Sequence, residues 1–67
     1  MTRDQELWAM ALHVERHHGA DGPSFIAEQI GRNALAGEPG GIELWEGVAR
    51  RYRQLSERAV GASVGAQ

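Results

Sequence analysis

The sequence predicts an all-α fold, a three-helix bundle with short loops and a frayed C-terminal tail. Three observations lead there. Apolar residues recur at helical spacing in three separate segments. Two clusters rich in glycine and proline, Gly19-Ala20-Asp21-Gly22-Pro23 and Gly37-Glu38-Pro39-Gly40-Gly41, cut the chain between those segments. No stretch alternates apolar and polar residues as a half-buried strand would.

The first helix is expected over Arg3–His18. Thr2 and Gln5 have the spacing of a capping box, in which each side chain bonds the other's backbone N–H. Asp4 and Glu6 suit the positive end of the helix dipole, and Arg16, His17 and His18 suit the negative end. Gly19 supplies the stop. Leu7, Ala11, Val14 and His18 share one face, with Met10 beside it and Trp8 and Leu12 on the other flank. At about 100° per residue this arc spans roughly 200°, wider than one core-facing stripe needs.

The second helix is expected over Gly22–Ala36, with Asp21 as its cap and Ser24 as the alternative, Pro23 in its first turn and Ile26, Ala27, Ile30 and Ala34 facing inward, flanked by Asn33. Phe25 falls off that stripe and is expected to fold back over the loop. Gly31 costs up to about 1 kcal/mol in a helix interior, so a close contact with another helix backbone is expected there. The third helix is expected over Pro39–Arg58, with Ile42, Trp45, Val48, Ala49, Tyr52, Leu55 and Ala59 inward. Glu46–Arg50 and Arg53–Glu57 are spaced to pair on its outer face. Residues 1–60 therefore read as one domain and 61–67 as a flexible tail. Leu7, Val14, Ile26, Ile30, Trp45 and Tyr52 are the expected core, with Trp45 deeply buried.

Composition narrows the function classes. A chain of 67 residues buries only about 60% of its unfolded surface, so stability is expected to be marginal. The net charge of -2 gives no overall drive toward nucleic acid or anionic lipid. Without cysteine there is no disulfide, no thiolate nucleophile and no sulfur-ligated zinc. The first residues lead directly into a helix pattern, which reads as no signal peptide, and no run is long and apolar enough for a membrane span.

The chemistry-bearing clusters are few. His13 and His17, four apart, could reach one metal ion, but two imidazoles are half a zinc site and Glu15 projects elsewhere. A solvated helix end is the expectation, with no metal and no cofactor. Arg50-Arg51-Tyr52-Arg53 looks like a small nucleic-acid patch, yet the helix wheel sends Tyr52 inward and leaves only Arg51 and Arg58 without a same-helix partner. A helix-turn-helix starting at Ala27-x-x-x-Gly31 fails because Gly37–Gly41 falls where a recognition helix is needed. The Gly37–Gly41 turn lacks the strand and the lysine of a phosphate loop. Ser24 and Ser56 have no evident base, and so small a domain leaves little room for a pocket of about 300 Å³, so no enzymatic activity is expected.

Taken together, His18-Gly19, Phe25-Ile26-Ala27-Glu28, Ile30-Gly31, Ala36-Gly37-Glu38 with Gly41, Trp45, Ala49-Arg50-Arg51 and Leu55 resemble a family of short, uncharacterised helical proteins from alphaproteobacteria. The resemblance covers nearly all of the chain except the tail. In that family the turn usually carries aspartate after its glycine. Here Glu38 takes that place, a weaker helix cap, and Pro39-Gly40 loosens the helix start. The resemblance implies a compact helical domain in a bacterial cytoplasm and assigns no catalytic or binding residue.

The leading expectation is a small interaction or regulatory accessory protein, homodimeric or bound to another protein through Trp8 and Leu12, the bland alternative being that Val60 and Val64 of the tail, or a tilted helix, cover that patch. The alternative is a nucleic-acid-associated protein using Arg51, Arg53 and Arg58. No membrane partner is expected.

Overall fold

The computed structural model describes the backbone of residues 1–65 and the side chains of residues 1–58. The fold is all-α, with no strand among the described residues. α1 covers Arg3–His18, a 3₁₀ turn covers Gly19–Asp21, α2 covers Gly22–Leu35 and α3 covers Pro39–Gly65. The expected loop between the first two segments is absent. Helical backbone runs without a gap from residue 3 to 35, bent at the 3₁₀ turn, and again from 39 to 65. The described chain is thus two uninterrupted helical runs, not three helices separated by loops.

α1 begins as its sequence predicts. The Gln5 N–H donates to Thr2 Oγ1 at 3.1 Å and the Thr2 N–H donates to Gln5 Oε1 at 2.9 Å. At its end Gly19 has φ +51°, and its N–H donates to the Glu15 carbonyl. The Gly19 carbonyl then accepts twice, from the Gly22 N–H and from the Tyr52 hydroxyl at 2.7 Å. These bonds convert the expected loop into a tight turn. Asp21 holds the cap position of α2 but makes no side-chain capping bond.

The other joint is a Schellman turn. Gly37 has φ +69°, its N–H donates to the Ala34 carbonyl, and the Glu38 N–H donates to the Asn33 carbonyl at 2.9 Å. The Glu38 carbonyl receives the N–H groups of Gly41 and Ile42, which starts α3 with Pro39 in its first turn.

α2 and α3 lie antiparallel, with Gly22 against Tyr52 at one end and Gly41 against Asn33 at the other. α1 lies across this hairpin. Asp4 at its start and Gly19 just beyond its end reach neighbouring residues of α3, Arg51 and Tyr52. A helix running alongside α3 would separate those contacts by about 24 Å, at 1.5 Å per residue over sixteen residues. The buried core is Leu7, Ala11 and Val14 from α1, Ile26 from α2, and Val48 and Tyr52 from α3. Ala11 and Val48 are wholly excluded from solvent.

Several expectations are corrected. Ile30 and Trp45 are only half-buried; the small residues Ala11 and Val48 hold the centre because helices that cross must approach closely there. α2 is turned so that Gly22, Ile26, Gln29, Ile30 and Asn33 face inward, leaving Ala27 and Ala34 exposed. Gly31 is exposed, and a methyl group there would meet nothing within 4 Å. Close approach occurs at other glycines instead. A Cβ at Gly22 would collide with the Tyr52 ring, one at Gly41 with the Asn33 side chain, and one at Gly47 would press on Leu7 at 3.0 Å. Among the described residues the ion pairs are Glu28–Arg32 and Asp4–Arg51; neither Glu46–Arg50 nor Arg53–Glu57 closes. Backbone helix continues past Arg58 to Gly65. Ala59 on the helix-three face, any cover from Val60 and Val64, and the expected flexibility of residues 61–67 lie outside the described side chains.

Candidate functional site

The two ends of α1 present different surfaces. Near its start, Trp8 is half-buried against α3, in a cleft of about 140 Å³ lined also by Asp4, Arg50, Arg51 and Gln54. One turn on, Leu12 is 49% exposed, with Glu15 and Arg16 exposed beside it. The two candidates therefore sit one turn apart on α1 as expected, but Trp8 also lines the cleft between α1 and α3. An apolar side chain left half in water retains roughly 25 cal/mol per Å² of burial still to be gained.

The three candidate arginines are not equivalent. Arg51 is drawn inward: one guanidinium nitrogen donates to Asp4 Oδ1 at 2.7 Å and the other to the Gly47 carbonyl at 3.1 Å. Its Nε is buried without a partner. Asp4 remains largely exposed, so the pair contributes at most about 1 kcal/mol, but it removes Arg51 from the solvent face. Arg53 and Arg58 are exposed on α3, as is Arg50. Local spacing could not have revealed the Asp4–Arg51 pair, because its partners lie 47 residues apart.

At the other end of α1 the aromatic residues gather. His18 stacks on Phe25 with centroids 4.0 Å apart, and Phe25 meets Trp45 edge-on at 5.8 Å. Phe25 thus closes over the joint from its off-stripe position. Trp45, half-buried rather than deeply buried, lines an open groove of about 390 Å³ with Met10, His13, His18 and Phe25. The His13 and His17 rings lie 4.2 Å apart on the exposed face of α1. No group of three or more His, Cys, Asp or Glu side chains is placed to hold a metal among the described residues. A second open groove, of about 330 Å³, runs between α2 and α3 over Ile26, Ile30, Ala49 and Tyr52, with Arg53 and Ser56 at its edge. The expectation that so small a domain lacks space of this size is therefore corrected. Helices that cross leave grooves on both sides of the crossing.

No charged side chain is buried among the described residues, and no helix there is long and apolar enough to cross a membrane. These features define a small all-α domain with apolar grooves and solvated charges. The chain belongs to a protein family of unknown function, DUF6961, whose family model matches residues 3–60. No curated protein and no solved structure matches it.

Proposed function

We propose that the protein is a small, non-enzymatic interaction protein of the bacterial cytoplasm, of alphaproteobacterial origin, which self-associates through α1. The proposal takes its three helical segments as a compact three-helix bundle that serves as a rigid scaffold for that face. The half-exposed Leu12, one turn from Trp8, is the observation that carries it. Trp8, Leu12 and Arg16 form one i, i+4 stripe. A two-fold axis at Leu12, with the α1 helices antiparallel, sets Leu12 against Leu12. It also sets Arg16 of each copy against Trp8 of the other, four residues from the axis on either side. A guanidinium over an indole face is attractive, and one patch then serves both copies. The stripe is small beside the roughly 800 Å² per partner of a stable interface, so association is weak and concentration-dependent.

Analytical ultracentrifugation tests this. The wild type should show a dimer fraction that rises with concentration. Leu12→Ser should remove it with helicity retained, and Trp8→Ala with Leu12→Ser should do so completely. A wild type that stays monomeric at high micromolar concentration eliminates self-association and leaves a different protein partner. The nucleic-acid alternative retains Arg53 and Arg58 on α3 but loses Arg51 to Asp4. It requires a mobility shift on DNA or RNA that weakens steeply with salt.

A further inference from the structure

We propose that the exposed face of α1 is a copper-binding site formed by His13 and His17, with Met10 supplying a third, thioether donor. Two imidazoles that share a metal at bonds of about 2 Å have their ligating nitrogens roughly 3 Å apart. The two rings already lie 4.2 Å apart, tilted by 39°, so small side-chain rotations bring a nitrogen from each to one ion. Both histidines are exposed, so the ion has open access and keeps water in its remaining positions.

Met10 stands three residues before His13, partly buried against the core at the edge of the exposed face, and lines one groove with His13. At about 100° per residue, positions 10, 13 and 17 fall within roughly 60° of one another. The donor set decides the metal. Imidazole suits copper, nickel and zinc, and thioether sulfur favours copper. With only nitrogen and sulfur donors and no carboxylate completing a cluster, calcium and magnesium are disfavoured. Among divalent ions at a nitrogen site the affinity order peaks at copper.

Trp45 supplies the readout, because it lines the groove that contains Met10 and His13. In a Trp8→Phe background it is the remaining tryptophan of the two in the chain, and bound Cu²⁺ quenches indole emission. Titration with Cu²⁺ should give quenching that saturates at one ion per chain, with nitrogen hyperfine structure in the EPR spectrum. Ni²⁺ and Zn²⁺ should compete only weakly. His17→Gln should abolish the saturable phase, while His18→Gln should retain it, since His18 is held against Phe25. His17 is exposed, so its substitution leaves the fold intact. Met10→Leu should weaken cuprous binding, measured by competition with a chromogenic chelator. Quenching that does not saturate, or that survives His17→Gln, would overturn the site. Unchanged cuprous affinity in Met10→Leu would overturn the thioether's part in it.

Discussion

The Gly37 joint is closed by hydrogen bonds spanning Asn33 to Glu38, whereas the Gly19–Gly22 joint adds to its local backbone bonds one from a side chain 33 residues away. Both turn the chain between helical segments, and both use a glycine at positive φ. The Gly37 turn satisfies its orphan carbonyls from its own backbone and can form as soon as α2 does. The 3₁₀ turn has its own backbone bonds to Glu15 and Gly19, but Tyr52 of α3 adds a third. Tyr52 lies on Gly22 with its hydroxyl on the Gly19 carbonyl, so the bend between α1 and α2 and the packing of α3 form together. A local joint and a tertiary joint should therefore respond differently to substitution.

The largest expected effect is at the tertiary joint. Tyr52 is buried, and replacing a buried aromatic ring by alanine costs about 3–5 kcal/mol. A domain of this size has about that much stability in total. Tyr52→Ala should therefore lose its cooperative urea transition, followed by circular dichroism at 222 nm. Tyr52→Phe keeps the ring and removes only the bond to Gly19, and should cost about 0.5–1.5 kcal/mol. A Tyr52→Ala variant that melts like the wild type would mean that the bend is held locally after all.

Next come the glycines at the two joints. Gly22→Ala drives a methyl into the Tyr52 ring and should cost about 1–3 kcal/mol through overpacking. Gly37→Ala meets no atom within 4 Å but must hold φ +69°, which costs an L residue about 1–2 kcal/mol. The double-mutant cycle with Tyr52→Phe separates the two joints. Gly22→Ala should couple strongly to position 52, while Gly37→Ala should add independently within about 0.5 kcal/mol. Equal coupling at both joints would abolish the distinction drawn between them.

The same distinction explains how much of the fold was legible in the sequence. The capping box at Thr2 and Gln5, the Gly37 stop and the Pro39 start are local, and each was readable from residues within one turn. The all-α class followed from periodicity. What periodicity could not give was how the segments cross. With α1 laid over the hairpin, Ala11 and Val48 are the most deeply buried core residues and Trp45 is left at the groove edge, the reverse of a ranking by side-chain size. Helical spacing gives Arg51 no charged partner on its own helix, and periodicity gives no sign that Asp4, remote in sequence, supplies one. The Trp8–Leu12 stripe was legible as an excess of apolar arc. That Trp8 shares its surface with Arg50 and Gln54 needed the fold.

The smallest effect expected lies between the joints, at Gly31. Its place in the middle of α2 reads as a cost accepted for close packing, since glycine is unfavourable in a helix interior. The structure removes that reason: Gly31 is exposed, its φ is not positive, and the space beside it is open for at least 4 Å. Alanine therefore gains helix propensity with nothing to collide with. Gly31→Ala should stabilise the domain by about 0.8–1.0 kcal/mol. Gly31→Leu should stabilise it somewhat less, since leucine also exceeds glycine in propensity and meets no neighbour that would be overpacked. Both gains should appear as higher urea midpoints with an unchanged denaturant slope. The contrast with Gly22 is the sharpest form of the comparison, since two glycines nine residues apart in one helix should respond to the same added methyl with opposite sign. A fall in the midpoint for Gly31→Ala would indicate that α2 meets a second surface at this position, such as another copy of the chain.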